Sequence, residues 1–192
     1  FRSSITSSTV PMPGVRLPAP LAAGRHAYQS YVVLLAEDLD RDHCIRALGE
    51  LRQQGSTVRG VLVGDGPLRP ALEQLASQVG ADVEFTGFRP AADVREWLDK
   101  AAVVAVPSVT AADGDSEGLP TVILEAQAMG TPVVATRHAG NAEGVVEGRT
   151  ALLVDERDVA GLADALRHFV ENPAAVESFG AAGRSFVEAN FS

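Results

Sequence analysis

Cysteine and lysine are nearly absent from this sequence. The single cysteine, Cys44, excludes an internal disulfide and fits a reducing compartment, and we interpret it as a small residue on a helix. The single lysine, Lys100, lies in a helical pattern and has no motif around it that is typical of a Schiff-base lysine. No apolar run reaches the length of a membrane span, and residues 1–24 lack the compact apolar core of a signal peptide.

Positive charge is also scarce. Lys and Arg together number 16 against 25 Asp and Glu, which gives a net charge of −9 and a pI near 4.9. This balance argues against nucleic acid as a partner and leaves no basic patch for an anionic membrane. The chain has 192 residues, of which 46% are hydrophobic, so it is long enough for one good core or for one domain with an appendage.

Short apolar runs alternate with helical patterns along most of the chain. Residues 1–24 are rich in Ser, Pro and Ala without periodicity, which predicts a linker or arm. From residue 25 onward the repeated strand and helix patterns predict an α/β domain with a Rossmann-like, doubly wound parallel sheet. The predicted strands are 31–35, 60–63, 83–87, 101–106, 131–136 and 151–154, and the predicted helices include 42–54, 68–79, 120–129, 158–170 and 175–191.

The stretch between the fourth and fifth predicted strands combines a Gly/Asp loop with a short helix. Pro120 suits the first turn of that helix, and Gly130 suits its left-handed end. Free amides at the helix start, at the positive end of the dipole, would hold a phosphate. Glu125 shares a face with Thr121 one turn away, where it could accept two hydrogen bonds from a ribose diol, and Glu117 at the mouth could reach a sugar. The arrangement suits a nucleotide-sugar.

The residues that could form a functional site also have ordinary structural interpretations. Two glutamates at this spacing arise readily by chance, as a helix cap and a solvated helix residue. Asp113 and Asp115 flank a glycine, but no further ligands follow at a useful spacing, so we expect no metal ion. His138 alone is more typical of a surface histidine than of a catalyst, and Trp97 is more typical of the core than of a stacking platform.

The two glutamates stand in a longer motif. Glu117-Gly-Leu-Pro-Thr, followed by Glu125-Ala-Gln-Ala-Met-Gly-Thr-Pro-Val-Val-Ala, closely resembles the Glu-x7-Glu signature of family-4 retaining glycosyltransferases, and the resemblance runs from about Val58 to the carboxyl end. It implies the C-terminal, donor-binding half of a GT-B enzyme that moves a hexosyl unit from a nucleotide diphosphate to a hydroxyl group with retention, without a cofactor or metal. The implied partners are a nucleotide-sugar donor and a glycan, lipid or small-molecule acceptor held by an N-terminal domain. The implied setting is polysaccharide biosynthesis in the cytoplasm or at the inner face of the membrane.

The resemblance also implies roles for individual residues. Glu117 would be the catalytic residue. Glycine turns would line the donor cleft, backbone after the third strand would hold the base, and the helix start with its inner glutamate would hold the diphosphate and ribose. The implied donor-binding residues are Gly64, Gly66, Phe88, Arg89, Gly118, Leu119, Pro120, Thr121 and Glu125.

The amino-terminal part departs from the family pattern. The family would place two diphosphate-clamping cations where this chain has Leu34 and Leu39, and Arg41 is the nearest cation. Residues 26–42 are instead similar to a segment of DegT-type sugar aminotransferases, although Lys100 gives no support to that chemistry. We therefore assign residues 25–192 to the donor-binding domain, with the first 50 residues atypical. The alternative is a non-catalytic nucleotide-sugar-binding module, or a truncated or chimeric fragment without transfer activity.

Overall fold

A computed structural model describes residues 29–35, 40–110, 119–138 and 140–191. Glu117, Gly118, Leu39 and both aspartates of the proposed Gly/Asp loop therefore lie outside the described residues. The strands are β1 (Gln29–Leu35), β2 (Arg59–Val63), β3 (Val83–Gly87), β4 (Ala101–Val106), β5 (Val133–Thr136) and β6 (Ala151–Val154). The α-helices are α1 (Arg41–Gln53), α2 (Arg69–Val79), α3 (Ala91–Lys100), α4 (Thr121–Met129), α5 (Val159–Val170) and α6 (Pro173–Asn190), and a 3-10 helix covers Asn141–Gly144.

The six strands form one sheet in the order β3-β2-β1-β4-β5-β6, and every pair is parallel. From the centre of the sheet, β1, β2 and β3 follow one another toward one side, and β4, β5 and β6 follow one another toward the other side. The direction reverses between β1 and β4, so this is the topological switch point at which doubly wound sheets form a binding crevice. The predicted fold class is confirmed.

The two faces of the sheet bury alternate residues of β2, β4 and β5. Val103 and Ala105 belong to a core cluster with α1, α2 and α5, whereas Val104 and Val106 belong to a second cluster with α3 and α4. Every residue of β4 and β5 is buried. A parallel sheet covered by helices on both sides requires such continuous apolar strands.

Local sequence signals explain how α4 begins and ends. Pro120 is its N-cap residue with extended backbone geometry, and Gly130 ends it with a φ of +80° in the left-handed region. The carboxyl end agrees with the prediction, whereas the helix begins one residue after Pro120, which was predicted to lie in its first turn. The placement of Leu68 on the apolar face of α2 is wrong, because the helix begins one residue later and the Leu68 side chain is 58% exposed.

No helix in the described ranges is both long and apolar enough to cross a membrane.

Candidate nucleotide-sugar site

The candidate site is the edge of the sheet where the parallel strands end. The segments that follow β1 and β4 are joined there, because the Asp40 backbone N–H donates to the Pro107 carbonyl oxygen over 2.9 Å. The predicted site residues that the structure describes come after β2, β3 and β4, so the topology brings them to this same edge. Glu117 and Gly118 belong to the same prediction but lie outside the described residues.

Buried hydrogen bonds and close packing hold the first turns of α4 in place. Gln127 is fully buried and its Nε2 donates to the carbonyl oxygens of Ile123 and Gly144, at 3.2 and 2.7 Å. Gly144 is closely packed as well, since a Cβ atom there would lie 2.3 Å from a methyl carbon of Leu119. These contacts tie the first turns of α4 to the 3-10 helix, and they give the helix start a defined position.

The outer side of the same helix is open. Thr121 and Glu125 are both exposed, and Leu119 and Pro120 are half-buried. Among the described residues, the N-cap Pro120 makes no side-chain hydrogen bond to the first amides of α4. Free amides at a helix start can bind a phosphate, and Glu125 stands one turn away on the exposed side.

The glycine turn after β2 lies against the end of β3. The Gly64 N–H donates to the Gly87 carbonyl oxygen over 3.0 Å, and Gly64 has a φ of +133°, which strongly favours glycine. Phe88 is 82% exposed although it is a large aromatic residue, and Arg89 is exposed beside it. An aromatic side chain left this far in solvent at the edge of a binding crevice is available to a ligand or to another domain.

Two arginines lie beside that turn; the sequence pointed to Arg41 as the nearest cation, and sequence reasoning missed Arg69. Arg41 and Arg69 both line a small cavity together with Gly64 and Gly66. The Arg69 Nε donates to Glu73 over 2.7 Å, whereas the buried Arg41 Nε has no hydrogen-bond partner among the residues that the structure describes. Arg69 could not be recognised from local sequence, because only the pairing of β2 with β1 brings the start of α2 close to the start of α1.

The structure corrects the prediction that His138 is a surface histidine. His138 is only 4% exposed, and its Nδ1 lies 2.8 Å from the Glu156 Oε1. The hydrogen bond from His138 and that from the Thr110 amide lower the pKa of Glu156 below its ordinary value of 4.5. The sequence offered no signal for this pair, since the two residues come together only through the pairing of β5 with β6.

Trp97 is half-buried and packs against the core cluster of α3 and α4, as predicted. Within the described parts of the chain, no group of three His, Cys, Asp or Glu residues is placed to hold a metal ion.

Comparisons with known proteins agree with this geometry. A family model described as "Glycosyl transferases group 1" matches residues 35–172, which is well over half of the chain. The match begins upstream of Val58, so the family resemblance extends further toward the amino end than the motifs alone indicated.

Two curated relatives and one solved structure illustrate the similarity. The amylovoran biosynthesis glycosyltransferase AmsK of Erwinia amylovora is 33% identical over 162 residues, which cover 83% of this chain and 40% of that protein. A GDP-mannose-dependent α-(1-6)-phosphatidylinositol monomannoside mannosyltransferase of Mycolicibacterium smegmatis is 38% identical, over 79% of this chain and 40% of its own length. Anabaena Alr3699/HepE, solved in complex with UDP-glucose, is 26% identical with a TM-score of 0.70, over 84% of this chain and 44% of that one.

The chain thus spans about two fifths of the length of these relatives. Its six-stranded parallel sheet, the position of α4 at the switch point and its match to the family model lead to one conclusion. The chain belongs to the group 1 glycosyl transferases and corresponds to the C-terminal, Rossmann-like domain of their GT-B fold.

Proposed function

We propose that this chain is the donor-binding domain of a glycosyltransferase that moves a hexosyl unit from a nucleotide diphosphate to an acceptor hydroxyl group with retention. The observation that carries the proposal is the amino end of α4, which follows β4 at the switch-point edge and has Thr121 and Glu125 exposed on its outer side. Helix amides bind the diphosphate, and the Glu125 carboxylate accepts hydrogen bonds from the ribose hydroxyls.

The cavity beside the glycine turn supports the same proposal. A nucleotide diphosphate brings at least two negative charges to a protein whose net charge is already −9. The dipole of one helix contributes only about 0.3–1 kcal/mol toward holding them. Arg41 and Arg69 supply the positive charge that Leu34 and Leu39 do not, and within the described residues the Arg41 Nε has a hydrogen left to donate.

The names of the relatives support a nucleotide-sugar as the donor, and they differ in the nucleotide. One is named for dependence on GDP-mannose, and one structure holds UDP-glucose. The shared chemistry is a nucleoside diphosphate linked to a hexose. The proposed location is the cytoplasm or the inner face of the membrane, with a glycan, lipid or small molecule as acceptor. The proposed reaction requires no metal or other cofactor.

Transfer itself depends on groups beyond the described residues. Glu117 is the proposed catalytic residue, in contact with the donor sugar. An acceptor domain supplies the acceptor hydroxyl, since positioning of two reactants accounts for about 7–11 kcal/mol of barrier lowering.

Calorimetric titration with UDP, GDP, UMP, GMP and glucose tests the proposal. We expect one diphosphate to bind at least about tenfold more tightly than its monophosphate, and glucose to bind hardly at all, since a second phosphate adds charge-assisted hydrogen bonds. Glu125→Gln should weaken diphosphate binding roughly ten- to a hundredfold. Glu177→Gln, an equal charge change at an exposed position on α6, is the matched control and should bind like the wild type. Equal weak signals from all five ligands would rule out a diphosphate site.

A further inference from the structure

Glu156 lies just beyond β6, and its carboxylate forms hydrogen bonds with the segments that follow two other strands, β4 and β5. Its Oε2 accepts a hydrogen bond from the Thr110 backbone N–H at 3.0 Å. Its Oε1 accepts one from the Thr110 hydroxyl at 3.0 Å and lies 2.8 Å from the His138 Nδ1. Thr110 follows β4 and His138 follows β5, so a single side chain holds together the exits of three neighbouring parallel strands.

Backbone and hydroxyl hydrogen bonds hold the His138 side of this arrangement. The His138 backbone N–H donates to the Thr136 carbonyl oxygen at 2.7 Å, and its own carbonyl oxygen accepts from the Asn141 N–H at 3.0 Å. The Thr136 hydroxyl in turn donates to the Ser108 carbonyl oxygen at 2.5 Å. The exits of β4 and β5 are therefore linked both directly and through Glu156.

The contact with a carboxylate decides which ring nitrogen of His138 carries the proton. A carboxylate facing Nδ1 favours the tautomer with hydrogen on Nδ1, which leaves Nε2 as the nitrogen available to another partner. Arg137, adjacent to His138 in the chain, pairs with Glu147 at 2.8 Å and with Asp155 at 3.5 Å.

The backbone directly after Glu156 is strained. Arg157 has a φ of +63°, and it is the sole residue other than glycine with a positive φ in the described ranges. Such a conformation is uncommon for an arginine and persists only where the surrounding structure holds it. The turn that carries Glu156 is therefore kept at a cost in conformational free energy. Such a cost is expected where a side chain must be held in a particular place.

We propose that Glu156 is a positioning residue of the donor site. It holds Thr110 and fixes His138 with its proton on Nδ1. The segments that follow β4 and β5 therefore keep one arrangement toward the bound nucleotide-sugar. The inference rests on the proposed function, since the donor occupies this edge of the sheet. Glu156 itself does not touch the donor. It acts through the two residues that it holds.

The test compares Glu156→Gln with Glu171→Gln, an exposed glutamate at the end of α5 that serves as the control. Nitrogen-15 NMR of the imidazole rings reports the His138 tautomer, and calorimetry with UDP, GDP, UDP-glucose and GDP-mannose reports affinity. In the wild type we expect the Nδ1–H form. In Glu156→Gln we expect a mixture of tautomers and a roughly tenfold or larger loss of affinity for the diphosphate ligands, because one oxygen acceptor becomes a donor. The control should match the wild type in both measurements.

A milder variant keeps the test decisive if Glu156→Gln folds poorly. Thr110→Val removes one of the three hydrogen bonds, leaves the backbone amide in place and should lower affinity in the same direction but less. The inference is overturned if the wild-type ring carries its proton on Nε2, or if wild type binds a diphosphate ligand and neither variant changes that affinity. Absence of diphosphate binding by the wild type is a different result, which overturns the proposed function.

Discussion

Gly180 of α6 lies directly on the backbone of Gly130, the residue that ends α4. A Cβ atom at position 180 would stand 2.0 Å from the Gly130 carbonyl oxygen. One turn further along α6, a Cβ atom at Gly183 would lie 3.1 Å from the Gln127 Cγ. The two glycines let α6 approach α4 closely, and this contact supports the helix whose amino end forms the candidate site.

Gly180→Ala should therefore destabilise the fold. Alanine improves helix propensity by about 0.8–1 kcal/mol, but overpacking costs about 1–3 kcal/mol or more, and a backbone oxygen cannot rotate away. We expect a lower melting temperature, by roughly 2–4 °C per kcal/mol in a chain of this size. Ser178→Ala, exposed in the same helix, is the control and should melt at or slightly above the wild-type temperature. A Gly180→Ala variant as stable as that control would contradict the close packing.

Arg41→Gln should weaken binding of UDP or GDP roughly ten- to a hundredfold, because a charge-assisted hydrogen bond contributes about 1.5–3 kcal/mol. The loss should be greatest at low salt, where the interaction is least screened. Arg46→Gln removes an equal charge from an exposed position of the same helix and is the matched control. Titration at two ionic strengths distinguishes them. Equal effects of both substitutions would show that only net charge matters and that Arg41 makes no specific contact.

The stability difference between wild type and Glu156→Gln should depend on pH. The hydrogen bonds from His138 and Thr110 lower the pKa of Glu156 in the folded state, so its ionised form stabilises the fold. That contribution is fully present above the ordinary value of 4.5 and is lost as the pH falls through the lowered folded value. Urea unfolding of both proteins from pH 7 downward measures it. We expect a gap at neutral pH that closes in acid, and a gap that widens in acid would be the wrong sign.

Cys44 should be inert in the native protein. It is completely buried on α1, and burial, reinforced by the nearby charge of Asp40, raises the pKa of its thiol. Because the thiolate is the reactive form, a thiol-specific reagent at pH 8 should label the protein only after unfolding. Guanidinium-treated protein provides the full-labelling control. Rapid stoichiometric labelling under native conditions would mean that α1 opens readily.

Local sequence determined much of this protein. The Pro120 and Gly130 signals placed both ends of α4, because proline and glycine restrict or permit backbone angles without help from distant residues. The apolar run of β4 and the alternation of strands and helices predicted a parallel doubly wound sheet, since only a sheet covered on both faces buries such a strand. The motif around Glu125 led to the family.

Only the tertiary structure decided which distant residues meet. The burial of His138 against Glu156 depends on the pairing of β5 with β6, and the shared cavity of Arg41 and Arg69 depends on the pairing of β1 with β2. The contact of Gly180 with Gly130 depends on how α6 crosses α4. Strand order and helix packing are set by the summed burial of many side chains from separate parts of the chain, and no short stretch of sequence contains that sum.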